Sequence, residues 1–254
     1  MKYAFVEGIR LEATTGVRGT CPGCSSPMIP KCGLKRLHHW AHKSTIACDR
    51  WWEPETEWHR GWKNQFPAEW QEIRHVANNG DVHIADVKTA SGSVLEFQYS
   101  AITPEGRASR EAFYGRMVWI VNGNRLKRDL PSFQEALTYA PSAETKARSW
   151  LLSDQDSAII GRWRGGSHPV FLDFGDADFS SPWLPSTGLL WWLTYIPRGR
   201  VIATPVHRQS VIDHFLSGTP IRGFGRLKPP PSRRSALPGF EAYRARKDAR
   251  RWRF

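Results

Sequence analysis

Sulfur is scarce in this sequence: four Cys and three Met in 254 residues. Four Cys cannot staple a fold of this size, and a chain this long buries a substantial core without such help. Acids are scarce too, with 24 Asp and Glu against 36 Lys and Arg. The net charge of +12 argues for a polyanionic partner such as a nucleic acid. No apolar run approaches the roughly 20 residues needed to cross a bilayer, so no membrane partner is expected. The opening MKYAFVEGIRLEA has no signal-peptide layout. Nothing repeats internally. The expectation is a soluble, cytoplasmic protein whose Cys are reduced or metal-bound rather than paired in disulfides.

Basic and aromatic residues are what the chain has in excess, including 13 Trp. The charge is uneven. Residues 222–254 carry 11 Lys and Arg against Glu241 and Asp248, a local charge of +9. Pro229-Pro230-Pro231 marks a linker. The stretch as a whole reads as a basic linker and tail, able to form a helix on a partner.

The informative stretch is DVHIADVKTASGSVLEFQYS, Asp81 to Ser100. It reads as two β-branched strands around a turn at Ala90-Ser91-Gly92-Ser93. If Thr89 pairs with Ser93, Asp86 lies opposite Glu96, and Gln98 follows on the same face. Ala85, Val87, Leu95 and Phe97 then face a core. Two carboxylates on adjacent strands suit a hard divalent cation such as Mg²⁺, which takes oxygen ligands. A hairpin with a polar outer face is the competing reading. Against it, EFQ sits inside an apolar strand, where buried polar positions need a reason.

Cys21-Pro22-Gly23-Cys24 is a knuckle that turns two sulfurs toward one ion, and tetrahedral Zn²⁺ needs two more ligands. His39, His42 and Cys48 are the candidates, with His38 and Cys32 behind them. Cys21, Cys24, His42 and Cys48 form the preferred set of four, with His39 next to His42. A closed set of that kind is structural zinc.

Residues 51–66 read as a helix with Pro54 in its first turn. Trp58, Trp62 and Phe66 recur at spacing four as a core stripe. Glu55, His59 and Lys63 form a polar stripe beside it. Strands follow at 69–77 and in the hairpin, then a helix at 105–116 and a buried strand at 117–121. Further on, 130–140 and 143–152 read as helices. HPVFLDFG (168–175) and TGLLWWLTYI (187–196) read as strands, or a strand and a short helix. A short helix is expected at 211–216. His168, His207 and His214 read as structural.

The order helix, three strands, helix, strand, with D…E-x-Q on the second and third strands, resembles the PD-(D/E)XK nuclease superfamily. More closely, CPGC, HHWAH, TEWHRGWK, HIADV, EFQYS and REAFYGRMVWIV together resemble the competence protein CoiA family over roughly residues 20–122. That resemblance implies an α/β fold with a restriction-endonuclease-like core: a mixed central sheet flanked by helices, with a zinc-knuckle extension in front. The expected divisions are a strand and zinc-knuckle module over 1–50, a nuclease core over 51–125, an α+β extension over 126–221 and the basic tail over 222–254. The resemblance implies Mg²⁺ or Mn²⁺ held by Asp86, Glu96 and the Phe97 carbonyl. Gln98 falls where many relatives hold a catalytic Lys, and Glu57, His59 and Lys63 contribute from the first helix. Gln98 carries no charge and cannot act as a base, so Lys63 is expected to supply the missing charge. The implied activity is Mg-dependent hydrolysis of phosphodiester bonds in DNA, incoming or foreign. The rival reading is a non-catalytic, zinc-containing nucleic-acid binding module with a degenerate core.

Overall fold

The computed structural model describes residues 1–224 apart from 36, 44–47, 49–50, 52, 78–79, 144–147, 180–183 and 185–186. The basic stretch 225–254, with its linker and tail, lies outside the described residues.

Two sheets carry the fold. The smaller one is antiparallel and N-terminal, built from β1 (Tyr3–Val6), β2 (Ile9–Glu12), β3 (Gly19–Thr20), β4 (Pro27–Lys31) and β5 (His39–His42) in the order β2-β1-β3-β4-β5. The β1–β2 hairpin turns at Glu7-Gly8, both with positive φ. The larger sheet starts after α1 (Glu57–Lys63) and a single 3-10 turn at Ala68–Trp70. It contains β6 (Gln71–Val76), β7 (Val82–Lys88), β8 (Val94–Gln98), β9 (Met117–Asn122), β10 (Trp150–Ser153), β11 (Val170–Asp173), β12 (Leu189–Ile196) and β13 (Arg200–His207). Their order is β10-β13-β12-β11-β9-β8-β7-β6. The strands β6, β7 and β8 form an antiparallel meander, whereas β8, β9 and β11 run parallel. A parallel neighbour requires a crossover, and between β8 and β9 this is α2 (Pro104–Tyr114).

Alternation along the strands feeds two cores. Trp119 and Val121 face one side, with Tyr114 of α2, Phe133 and Ala136 of α3 (Asp129–Tyr139), and Ile159 and Ile160 of α4 (Ala158–Arg162). Val118 and Ile120 face the other, with Val87, Leu95, Phe97, Trp62 of α1, and Val211 and Ile212 of α5 (Arg208–Ser217). Ala85 packs on the first side, not with Val87 as the alternation predicts. The ladder between β7 and β8 is paired only at Val87–Leu95 and Lys88–Val94, so the strands part at Asp86.

The structure changes several expectations. The first helix runs only from 57 to 63, because Thr56 is extended and caps it through a capping box, leaving Pro54 upstream. Residues 150–153 are a strand rather than the end of a helix, paired with β13 from Trp150–Ala203 to Ser153–Arg200. The strand β13 itself was not expected, since Pro205 demotes a sequence as a strand. It nevertheless pairs with β12 along its whole length. The expected division at 125 falls inside one continuous sheet, because β11 pairs with β9.

Candidate functional site

The hairpin of β7 and β8 has the predicted register. Thr89 donates its amide to Ser93 at 2.9 Å, and Val87 faces Leu95. Asp86 is therefore opposite Glu96, where the ladder opens. Side chains replace the missing backbone bonds there. Phe97 N donates to Asp86 Oδ2 at 3.0 Å, and Asp86 N donates to Glu96 Oε1 at 3.3 Å. The two carboxylates thus interlock across the gap.

All of β8 is buried, so its polar side chains need partners. Gln98 donates to the Glu53 carboxylate and to the Ser100 carbonyl, and it accepts from Arg110 Nη1 at 3.2 Å. Arg110 also lies 3.5 Å from Glu96 Oε2 and 3.9 Å from Glu53 Oε1, and it donates to the Trp51 carbonyl at 3.1 Å. Glu53 secures its own position by accepting from Ser100 N at 3.2 Å.

A second network flanks Asp86. The polar stripe of the first helix is present as an ion pair, with Lys63 Nζ 2.6 Å from Glu55 and 2.8 Å from Glu72. Glu55 also pairs with Arg60 at 2.8 Å. Glu72 occupies a left-handed backbone position, φ 48°, and accepts from the amides of Lys2 and Tyr3 at 2.7 and 2.9 Å. Burial pushes the Lys63 ammonium down, but Glu72, Glu55 and Asp86 outweigh it and hold its pKa above the ordinary value. Burial likewise opposes ionisation of Glu72, yet Lys63 and the Lys2 amide bring it to about 2. For Asp86 burial wins: its carboxyl is raised despite Lys63 and His59.

The structure does not treat the helix residues alike. His59 is buried, with Nδ1 2.9 Å from Thr56 Oγ1 as part of the cap, and its ring lies 5.9 Å from Tyr99. Lys63 is 3% exposed and lies between two carboxylates rather than facing open space. Glu57 is exposed in the first turn and stands apart from both networks. Glu53, Glu72 and Arg110 were not singled out from the sequence. The one available signal was for Arg110, as a cation on the helix that follows E-x-Q.

Helix α1 is held from a distance. Asp173 Oδ2, at the end of β11, accepts from the indoles of Trp58 at 2.9 Å and Trp62 at 2.8 Å. Its Oδ1 pairs with Arg208 at 2.6 Å.

The metal-ligand set in the N-terminal module is compact. The ligand atoms of Cys21, Cys24, His42 and Cys48 all lie within 4.8 Å of one another. Cys21 Sγ is 3.6 Å from Cys48 Sγ, and Cys24 Sγ is 3.4 Å from His42 Nε2. Burial pushes the Cys21 and Cys48 thiols up. At Cys24 burial is outweighed by hydrogen bonds from Ser26 and His42, which bring the thiol to about 6. Three sulfurs and one imidazole so close together match the donor set of structural Zn²⁺, and this cluster could hold one zinc ion. The other candidates lie outside it. His39 Nδ1 contacts the Leu37 carbonyl, Cys32 Sγ the Ala13 carbonyl, and His38 is exposed. Among the described residues this is the group of three or more His, Cys, Asp or Glu that could hold a metal, and Asp86 and Glu96 are not in it. The knuckle rests on the large sheet: Arg74 Nε donates to the Gly23 carbonyl at 3.2 Å, and a Cβ at Gly23 would come within 3.0 Å of Ile84.

Among the described residues no helix is long and apolar enough to cross a membrane. No solved structure matches the chain. Residues 11–50 match the family model of the competence protein CoiA N-terminal domain. The chain is also 31% identical over 133 residues to competence protein CoiA of Bacillus subtilis (strain 168), a match covering 47% of this chain. The match spans about a third of that relative, 35% of its length. Over these segments the chain is similar to competence protein CoiA, and the four residues of its Cys/His cluster lie inside the segment that matches the N-terminal domain model.

Proposed function

We propose that this chain is a metal-dependent nuclease that hydrolyses DNA, with a PD-(D/E)XK-type core and a structural zinc module. The observation that carries this reading is the interlock of Asp86 and Glu96 at the point where β7 and β8 part. The strand order β6-β7-β8-β9, with β8 and β9 parallel across α2, supports the same reading.

The donor chemistry fits a divalent cation. Asp86 and Glu96 offer hard oxygen ligands, the Phe97 carbonyl offers a third, and Mg²⁺ keeps waters for the rest. Burial disfavours the anionic form of the half-buried Asp86 despite Lys63 and His59, and a cation held there would offset that penalty. When bound, the metal would lower the pKa of a water and offset charge on the phosphate. The chain's own residues do the rest. Asp86 and Glu96 would hold the cation against β8. Gln98, locked by Glu53 and Arg110, orients groups beside it. His59 is set in place by the helix cap. Lys63 keeps Glu55 and Glu72 compensated and so preserves the shape of the wall.

The family name adds a reading of context: DNA that is taken up or foreign, handled in the cytoplasm. The binding-module reading draws its support from Gln98, a neutral group where a charge is expected. Labelled single- and double-stranded DNA with Mg²⁺, Mn²⁺ or EDTA separates the two. Cleavage that needs metal and is lost in Asp86→Ala and Glu96→Ala, with DNA binding retained, is the expected result. Tight binding with no cleavage under any of these conditions would sink the nuclease reading.

A further inference from the structure

We propose that Arg110, on α2, supplies the positive charge beside the Asp86–Glu96 pair that Gln98 lacks. This deepens the nuclease reading and rests on it. Lys63 was the cation expected from the sequence. It is enclosed by two carboxylates at 2.6 and 2.8 Å, which hold its ammonium away from the Gln98 side chain's own contacts with Glu53 and Arg110. Arg110 is placed differently. It hydrogen-bonds Gln98 itself, at 3.2 Å, so its guanidinium lies next to the position a lysine at 98 would fill.

Its carboxylate contacts are looser, 3.5 Å to Glu96 and 3.9 Å to Glu53. A metal that draws Glu96 away would leave Arg110 with less compensation and its charge beside the reacting phosphate. The Nε donor of Arg110 is buried with no hydrogen-bond partner among the described residues, and such a donor is costly unless something takes it up. The guanidinium is also steered by the rings of Trp51 and Trp119, at 5.6 and 5.9 Å. Arginine stays protonated at any physiological pH, so the role is charge stabilisation and never proton abstraction. The wedge of Glu53, Gln98 and Arg110 would thus perform, with three side chains, what one lysine does from β8.

The test uses the full chain in single-turnover DNA cleavage, with Mn²⁺ binding followed by calorimetry. Arg110→Gln should lower cleavage about 100-fold, the usual cost of one transition-state donor, while Mn²⁺ affinity changes by no more than about threefold. Arg110→Lys should retain cleavage within about tenfold of wild type. The double variant Gln98→Lys, Arg110→Gln should recover at least about tenfold over Arg110→Gln, because it restores the charge from the strand. Gln98→Lys alone places a second cation against Arg110 and should gain no more than about threefold. Should Arg110→Gln fail to fold, that last comparison still decides: a tenfold gain from Gln98→Lys alone means the site lacked a cation and overturns the proposal. Cleavage by folded Arg110→Gln at the wild-type rate overturns it too, while leaving the nuclease reading intact. A wild type that never cleaves overturns both.

Discussion

Glu72→Gln should cost about 3 kcal/mol of stability at neutral pH. Glu72 holds Lys63 at 2.8 Å and fixes the amides of Lys2 and Tyr3, so it joins α1 and the N-terminal sheet to β6. Its pKa is about 2 against an ordinary 4.5. At about 1.4 kcal/mol for each pH unit, that difference is worth roughly 3 kcal/mol. Removing one partner of a buried pair typically costs about 3–5 kcal/mol, which agrees. A depressed carboxylate contributes fully above its unfolded pKa and is lost as pH falls through the folded one. The wild-type advantage should therefore be whole above about pH 5.5, reduced to roughly half or less at pH 3, and gone below about pH 2. Urea unfolding of wild type and Glu72→Gln in matched buffers at pH 7 and pH 3 measures it. A difference under about 1 kcal/mol at pH 7, or one that does not shrink on acidification, would refute the reasoning.

Metal analysis of unchelated protein should find one zinc per chain, and Cys21→Ser should remove it and lower the melting temperature, because closing a thiolate site contributes folding energy; protein without zinc would end that assignment. Truncation after Leu227 removes most of the +9 of residues 222–254 and should flatten the slope of log affinity for DNA against log salt; an unchanged slope would mean that the phosphate-contacting charges lie elsewhere in the chain. Asp173→Asn puts an amide donor against the two indole N–H groups and uncouples Arg208, so it should cost about 2–4 kcal/mol in chemical unfolding. A loss below about 0.5 kcal/mol would mean that α1 is held by packing alone.

What was legible in the sequence had a short-range cause. The register of β7 and β8 followed from a turn and a period of two, and the stripe of Trp58, Trp62 and Phe66 from a period of four. The Cys/His set followed from a knuckle and the His and Cys residues within about 25 positions after it. The polar stripe of Glu55, His59 and Lys63 pointed to a real ion pair, though its meaning changed once Glu72 appeared. Glu72 looks like any strand residue, and neither its left-handed backbone nor its partners at residues 2 and 3 leave a local trace. Glu53 was unreadable because the first helix starts later than its composition suggests. Arg110 sat in a helix whose other face is core, and which way a side chain turns is a tertiary fact. The strand β13 hid behind Pro205, and β10 behind a sequence equally suited to a helix.

The grip of Asp173 on the two indoles also has a consequence in time. A ribosome delivers the chain from its N-terminus, and Trp58 and Trp62 emerge more than a hundred residues before the carboxylate that secures them. The segment with both interlocked acids is complete once Gln98 is out. The wall of α1 that bounds it can be fastened only after β11 has been made and laid beside β9. Contacts of such sequence separation form slowly, since a long loop must close before they contribute. A nascent or nicked chain ending near residue 125 would therefore carry the acids without their enclosure. Enclosure of the two acids is deferred until β11 has docked beside β9.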